Sequence, residues 1–314
     1  MASERGKGLK QEFVVEAVSA SLRIDRYLSD CCEGMSRSYF QKLLKEEAVS
    51  VNKRIVKSNY KVAAGDRIVV EIPEAVDAEI RAEEIPLDIV YEDQDVIVVN
   101  KPKGMVVHPA AGHYTGTLVN GLMWHCKDGL SGINGVLRPG IVHRIDMDTT
   151  GLLIVCKNDR SHNCIARQLK EHSITRLYYA LVHGRIKEEE GVVDAPVGRH
   201  PTDRKKMSIH SRNGKEAVTH YRVLERFAGY TYVECRLETG RTHQIRVHMA
   251  SIGHPLAGDQ VYSSAKTPYK LQGQTLHAGV LGFIHPESGE YMEFRAPLPE
   301  YFAELLKKVA DSRR

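Results

Sequence analysis

The segment GIVHRIDMDTTGLLIVCKN, residues 140–158, constrains the fold of this 314-residue chain more than any other stretch. Polar side chains stand there between apolar residues that are typical of buried structure: His143, Arg144, Asp146 and Asp148. The apolar run Leu152–Val155 predicts an interior strand, and Thr149–Gly151 predicts the turn that leads into it. We therefore expect the polar residues to lie at the rim of a sheet, where they face a cleft.

Two other interpretations of this polar cluster stay open. In the first, Asp146 or Asp148 accepts backbone N–H groups in a capped turn, which leaves Arg144 and His143 without a role. In the second, His143, Asp146 and Asp148 bind a metal ion, which requires further ligands from elsewhere in the chain. Because no H-E-x-x-H motif occurs, we expect no metal site.

The composition is that of a globular protein with about two domains. Hydrophobic residues make up 42% and charged residues 27% of the chain, and no apolar run approaches the roughly 20 residues of a membrane helix. The charged N-terminus MASERGKGLKQEF lacks the apolar core of a secretory signal. The six cysteines form no C-x-x-C pair, and neither G-x-G-x-x-G nor G-K-[ST] occurs. We therefore expect a cytoplasmic protein without membrane segments, a disulfide framework or a nucleotide cofactor.

Basic residues are concentrated near the N-terminus. Residues 21–73 contain ten Lys or Arg against seven acids, whereas the whole chain has a net charge of only +4. Ser36 is a candidate N-cap, and an apolar stripe after it predicts an amphipathic helix: Phe40, Leu43 and Leu44. Basic residues on its other face and in the next turn are candidate phosphate contacts: Arg37, Lys42, Lys45, Lys53 and Arg54. Composition alone also fits a small domain whose charged helix is merely solvated.

This basic stretch resembles the S4 RNA-binding domain, which pairs such a helix with a strand that carries a V-x-V-N signature, here VSVN. A closing strand is expected at Arg67–Ile72. The resemblance departs at Glu47 and Lys53, where family members commonly have glycine. It implies sequence-independent binding to RNA phosphates. The next segment, residues 74–85, holds five acids and one Arg, which predicts a solvated linker.

After this linker the pattern changes to strands with polar insertions. Two short β runs, Asp88–Tyr91 and Asp95–Asn100, precede a Lys-Pro-Lys-Gly corner. TGTLVNGLMWHC, residues 115–126, suits a helix. A Gly-rich loop over 130–140 then leads into the polar cluster.

Two later segments contain further candidate site residues. In SITRLYYALVHGRI, residues 173–186, alternation puts Tyr178 on one face of a strand, where a packed aromatic is the simpler interpretation. In residues 230–259, a half-buried strand is followed by a helix that Thr242 is expected to cap. Arg241 therefore sits at a strand-to-helix corner, where its side chain can reach a cleft or can serve the structure alone.

Taken together, these segments resemble the pseudouridine synthases. The resemblance depends on H-R-I-D-x-D-T-T-G, R-x-Y-x-A-L-V-x-G and L-E-T-G-R-T-H-Q-I-R-V-H, and it extends over nearly the whole chain. Within that family the chain is similar to the ribosomal-RNA branch that carries an S4 domain ahead of the catalytic domain. One departure is Met147, where relatives often have Lys or Arg.

The resemblance implies isomerisation of uridine within an RNA chain, a reaction without a cofactor. It implies that Asp146 is the nucleophile, that Arg241 keeps this carboxylate ionised, and that Tyr178 lies against the base and takes the proton that leaves. Arg144 is expected to occupy the space that the flipped base vacates, and His143 to shape the loop. Attack on the sugar C1′ and attack on the base C6 both stay open.

The expected fold is α+β: a long, mostly antiparallel mixed sheet with a central catalytic cleft, preceded by a small S4-like α/β RNA-binding module. We expect an N-terminal tail over 1–12, the S4-like domain over 13–73, the acidic linker over 74–85 and the catalytic domain over 86–314.

The function expected from the resemblance is pseudouridine formation in large-subunit (23S) ribosomal RNA by a monomer. Transfer RNA is the alternative substrate. Two other classes stay open: a non-catalytic RNA-binding assembly factor, and a metal-dependent phosphohydrolase that uses the polar cluster. The simultaneous presence of Asp146, Tyr178 and Arg241 favours the enzyme over the assembly factor.

Overall fold

The computed structural model describes residues 9–32, 37–72, 80–110, 112–127, 129–133, 139–203 and 205–311. The chain divides into two compact units, Met1–Ala78 and Glu79–Arg314. Ser36, the candidate N-cap, and half of the predicted acidic linker (residues 74–79) lie outside the described residues. Within the described ranges, no helix combines the length and the apolar character that crossing a membrane requires.

The described part of the N-terminal unit is an antiparallel sheet with two helices. Its elements are β1 (Leu9–Val14), a 3₁₀ turn (Ala17–Ser19), α1 (Ile24–Cys31), α2 (Arg37–Lys45), β2 (Val49–Val51), β3 (Arg54–Ile55) and β4 (Arg67–Ile72). The strand order is β1-β4-β2-β3. The predicted apolar stripe on α2 is buried, since Phe40, Leu43 and Leu44 are at most 4% exposed. This face of α2 packs in the same hydrophobic core as β2 and β4.

The two positions at which the sequence lacks the family's glycines keep a backbone that favours glycine. Glu47 has φ 60° and Lys53 has φ 68°, both in the left-handed region, which costs a non-glycine residue roughly 1–2 kcal/mol. The turns therefore retain the left-handed shape, and Lys53 extends from one of them as an exposed cation.

The C-terminal unit contains the remaining helices and strands of the described residues. Its strands are β5 (Ile89–Glu92), β6 (Val96–Lys101), β7 (Thr150–Cys156), β8 (Thr175–His183), β9 (Glu190–Asp194), β10 (Gly198–Arg199), β11 (Met207–Ser208), β12 (Val218–Phe227), β13 (Tyr230–Leu237), β14 (Leu276–Ile284) and β15 (Tyr291–Arg295). Its helices are α3 (Leu118–Cys126), α4 (Asp159–Lys170), α5 (Gln244–Ser251) and α6 (Glu300–Asp311).

A long mixed sheet forms the centre of this unit. Its order is β5-β6-β7-β14-β8-β13-β12-β9, with β15 added to β14. Among the described strand pairs of this sheet, β7 and β14 are parallel and the others are antiparallel. The expected α+β fold with a long, mostly antiparallel mixed sheet is confirmed.

Strand β7 is the interior strand that the apolar run predicted, because all seven of its residues are buried. Leu153 and Val155 belong to one hydrophobic core, and Leu152 and Ile154 belong to the core on the other face. The polar loop is therefore followed directly by a strand that is packed on both faces.

The start of β7 requires a glycine at position 151. Its φ is 110°, and a Cβ atom there would lie 2.2 Å from the carbonyl oxygen of Ala278. Only glycine lets β7 approach β14 this closely at the point where the two parallel strands begin.

One predicted helix start is wrong. Helix α5 begins at Gln244, and the preceding N-cap position is His243 rather than Thr242. The turn is closed by the Gln244 side chain instead, since its Oε1 accepts hydrogen bonds from Arg241 N and from the Thr239 hydroxyl. A side chain inside the helix thus reaches back and stabilises the turn that a cap was expected to close.

Candidate active site

The polar loop is held in place by backbone hydrogen bonds. Thr149 N donates to the carbonyl oxygen of Asp146 at 3.0 Å, which closes a tight turn before β7. The carbonyl oxygen of Met147 accepts from Gly104 N and from Lys101 Nζ at 2.9 Å. Asp146 is half-buried at this rim and lines a cavity of about 530 Å³.

The carboxylate of Asp146 forms an ion pair with a residue of helix α5. Arg246 Nη1 donates to Asp146 Oδ2 at 2.8 Å. The same guanidinium donates through Nε and Nη2 to the two oxygens of Asp259, at 2.7 and 2.9 Å. Asp259 is buried, which opposes its ionisation, but the hydrogen bonds and charge of Arg246 outweigh burial and lower its pKa. Arg246 therefore bridges two carboxylates and fixes the orientation of Asp146.

This geometry corrects the expected partner of Asp146. Arg241 also lines the cavity, but its Nε donates to the backbone carbonyl of Glu216 at 2.9 Å. Helix α5 begins at Gln244, and the guanidinium that reaches Asp146 belongs to Arg246 in its first turn. A sequence signal was present: an arginine between the apolar Ile245 and Val247 must be paired if it is buried.

Tyr178 lies where the alternation predicted, on the buried face of β8. It is 7% exposed and lines the same cavity as Asp146. Burial raises the pKa of its phenol, although the charge of Arg176 acts in the opposite direction. Tyr178 therefore forms part of the cavity wall, and its hydroxyl stays protonated in neutral solution.

The two other predicted cavity residues take different positions. Arg144 is exposed and lines the cavity. His143 Nε2 accepts a hydrogen bond from Ile154 N at 3.1 Å and so ties the loop to β7. Burial, followed by the charge of Arg176, lowers the pKa of His143 to about 3. His143 is thus held neutral and shapes the loop.

Lys101 supports the loop of Asp146 from outside the cavity lining, and the sequence predicted no role for it. Its side chain is 1% exposed, and Nζ donates to the carbonyl oxygens of Pro102, Met105 and Met147 at 2.7 to 2.9 Å. These three acceptors match the three N–H groups of a charged ammonium. Burial acts against that charge and lowers the pKa of Lys101 to about 7. The contact with Met147 fastens the corner after β6 to the loop of Asp146. The signal was a lysine at the end of a strand that begins with four buried apolar residues.

Two of the three side chains in the metal-binding interpretation of the polar cluster have other partners. His143 Nε2 accepts from a backbone N–H, and Asp146 is paired with Arg246. Among the described residues, the group with metal-ligand spacing is Asp93, Asp95 and His285. That group contains none of the three residues proposed from the sequence.

The predicted RNA contacts of the N-terminal unit divide into two kinds. Arg37 donates through Nε and Nη2 to Asp25, whose carboxylate is fully buried and also accepts from Gln41 and Arg23. These partners lower the pKa of Asp25 despite its burial, so Arg37 helps to hold the unit together. The remaining candidates are exposed, as Arg37 is, but do not bind this carboxylate: Lys42, Lys45, Lys53 and Arg54.

Comparisons with known proteins cover both units. Residues 95–251 match the family described as RNA pseudouridylate synthase, and residues 22–68 match the S4 domain. The chain is 58% identical to an uncharacterized RNA pseudouridine synthase, YlyB, of Bacillus subtilis, over 92% of this chain and 94% of that protein. It is 47% identical to ribosomal large subunit pseudouridine synthase D of Zymomonas mobilis, over 93% and 95%. The solved structure of human RNA pseudouridylate synthase domain containing 1 is similar with a TM-score of 0.55 and 26% identity, over 73% of this chain and 96% of that chain.

Proposed function

The chain belongs to the RNA pseudouridylate synthase family, and on this premise we propose that it isomerises uridines of large-subunit ribosomal RNA to pseudouridine. The ribosomal substrate is supported by relatives named ribosomal large subunit pseudouridine synthase D, which are 47% and 45% identical to this chain. Transfer RNA is the alternative. Action on ribosomal RNA would place the protein in the cytoplasm, and we propose that it acts there as a monomer.

The observation that carries the proposal is the Asp146–Arg246 ion pair in a cavity that Tyr178 also lines. In the isomerisation the C1′–N1 bond breaks, the uracil turns, and a C1′–C5 bond forms. C5 loses a proton and N1 gains one, so no oxidant, reductant or energy source is consumed. Such a reaction needs a carboxylate held beside the base, and Arg246 holds the carboxylate of Asp146 in the cavity.

We assign Asp146 as the nucleophile that attacks either C1′ or C6. Arg246 holds its Oδ2 atom, which leaves Oδ1 for the substrate. Tyr178 would stack against the uracil, and its hydroxyl would take part in moving the C5 proton. Because the target base must leave its stack at a cost of a few kcal/mol, the exposed guanidinium of Arg144 would fill the vacated space.

The S4 domain would supply sequence-independent contacts to RNA phosphates. Its exposed Lys42, Lys45, Lys53 and Arg54 support this role, because each can neutralise a phosphate and release a counterion. A non-catalytic assembly factor would need the same RNA-binding surface. It would not need a carboxylate and an arginine paired in a cavity.

The test is tritium release from ribosomal RNA labelled at uridine C5, with a chelator present throughout. Wild type is expected to release tritium, whereas Asp146→Asn is expected to bind the RNA without releasing any. Asp311→Asn, at an exposed position of α6, is the matched control and should behave as wild type.

Three outcomes would change the proposal. Release by Asp146→Asn at the wild-type rate would exclude Asp146 as the nucleophile. Release from transfer RNA and not from ribosomal RNA would select the alternative substrate. Binding of ribosomal RNA without release from any RNA would favour the assembly factor.

A further inference from the structure

His243 lies beside Asp146 in an unusual backbone conformation. It precedes α5 with φ 57° and ψ 19°, in the left-handed region. That conformation directs the imidazole into the cavity, where it is one of the lining residues. Its Nε2 atom is 3.8 Å from Asp146 Oδ1, the carboxylate oxygen that Arg246 does not hold.

The hydroxyl of Tyr262 lies against one ring nitrogen of His243. The hydroxyl oxygen of Tyr262 accepts a hydrogen bond from Met207 N at 2.8 Å and lies 2.8 Å from His243 Nδ1. The Tyr262 hydroxyl can donate its own proton to His243 Nδ1, which then acts as the acceptor. A neutral imidazole that accepts at Nδ1 has its proton on Nε2.

The charges around His243 agree with a neutral ring. Burial lowers its pKa below the ordinary value, and the charges of Arg246 and Arg144 act in the same direction, while Asp146 and Asp259 oppose them. The Nε2–H group therefore faces the free oxygen of Asp146 as a donor. At 3.8 Å it directs the carboxylate electrostatically and leaves Oδ1 open to the substrate.

We propose that His243 is a positioning residue that orients Asp146 Oδ1 through its Nε2–H group, and that the Tyr262 hydroxyl sets the required tautomer. Arg246 holds one carboxylate oxygen and His243 faces the other, so rotation of the carboxylate is restricted from both sides. The arrangement also connects Asp146 to the hairpin of β10 and β11, because Met207 N binds Tyr262. This inference rests on the proposed function, in which Asp146 is the nucleophile.

Two substitutions at His243 distinguish the role of its N–H donor from the role of its side-chain volume. His243→Met keeps the length of the side chain and has no N–H, whereas His243→Gln keeps an N–H near the position of Nε2. We expect His243→Met to lower kcat about 100-fold, the loss typical of a misplaced reacting group, with KM for the tritiated RNA unchanged. His243→Gln should restore most of that loss. Equal kcat losses in the two variants would overturn the inference, because the donor would then not matter.

Tyr262→Phe provides an independent test that keeps the ring. The ring packs edge-on against His243 and lies under the Arg246 guanidinium, so the hydroxyl alone is removed. We expect Tyr262→Phe to lower kcat about 10-fold when His243 is present. The same substitution should not lower kcat further in a protein that already carries His243→Met, because the hydroxyl acts through His243. Tyr291→Phe, on the exposed strand β15, is the matched control.

The outcomes separate this inference from the proposed function. If wild type releases tritium and Asp146→Asn does not, but His243→Met has the wild-type kcat, only the role of His243 is overturned. A Tyr262→Phe loss of equal size in both backgrounds would likewise overturn it. If wild type releases no tritium from either RNA, the proposed function fails and this inference fails with it.

Discussion

Arg246 Nη1 donates a hydrogen bond to Asp146 Oδ2 at 2.8 Å, between residues that are 100 positions apart in the sequence. The same guanidinium binds the buried Asp259 with its other two nitrogen atoms, so its orientation is set before any substrate enters. A planar guanidinium can bridge two carboxylates in this way, whereas an ammonium group cannot reproduce the fork. Asp146 therefore faces the cavity with one oxygen held and one oxygen free.

Arg246→Lys tests this bridge. We expect turnover to fall about 100-fold because the carboxylate is no longer held in place. Stability should fall by less than the roughly 3–5 kcal/mol typical of removing one partner of a buried ion pair, since lysine keeps a charge near Asp259. Single-turnover tritium release and thermal unfolding measure the two effects. Arg241→Lys is the matched control, and a larger loss of turnover there would restore Arg241 as the important arginine.

Tyr178→Phe tests whether the hydroxyl of Tyr178 takes part in proton transfer. Phenylalanine keeps the ring against which a base would stack, so RNA affinity should be unchanged. Turnover should fall by roughly 100-fold or more, the usual contribution of a positioned acid or base. Tyr179→Phe, on the opposite face of β8, should turn over normally. Normal turnover by Tyr178→Phe would mean that Tyr178 acts only as a packed aromatic.

Replacing Lys42 and Lys45 together by glutamine tests the S4 surface. Both side chains are exposed on α2, so the fold should be retained. RNA affinity should weaken, and the slope of log K against log salt should shrink by about 0.7–0.9 for each phosphate that is no longer neutralised. The rate at saturating RNA should not change. Glutamine at Lys307 and Lys308, on exposed positions of α6, removes the same charge elsewhere; an equal effect there would argue against a specific surface.

His143→Gln tests the pH dependence of stability. The pKa of His143 is lowered from 6.5 to about 3 in the folded protein, so between these values the unfolded chain binds a proton that the folded protein does not. His143 therefore makes stability fall as pH drops through that window, by up to about 1.4 kcal/mol per pH unit. Glutamine does not titrate and can still accept from Ile154 N. The free energy of unfolding of the variant should change less between pH 6.5 and pH 4 than that of wild type; identical curves would mean that His143 is not buried as a neutral ring.

Several local features were predictable because neighbouring residues encode them. The apolar run before Cys156 predicted β7, and the stripe of Phe40, Leu43 and Leu44 predicted α2, since each pattern has the period of its element. The start of α5 was predicted wrongly. Thr242 fits the usual capping pattern, but Gln244 reaches back to close the turn, and such a contact depends on the path of the chain before the helix.

The sequence by itself determined the family, the S4 domain and a mixed sheet with a polar loop at its rim, because motifs and periodicity are local properties of the chain. Only the tertiary structure decided that Arg246 rather than Arg241 meets Asp146, and that Lys101 holds the loop through the carbonyl of Met147. These partners come from separate strands, loops and a helix. Their pairing depends on how the long sheet brings those elements together. No local pattern of residues encodes the distance between side chains on separate elements.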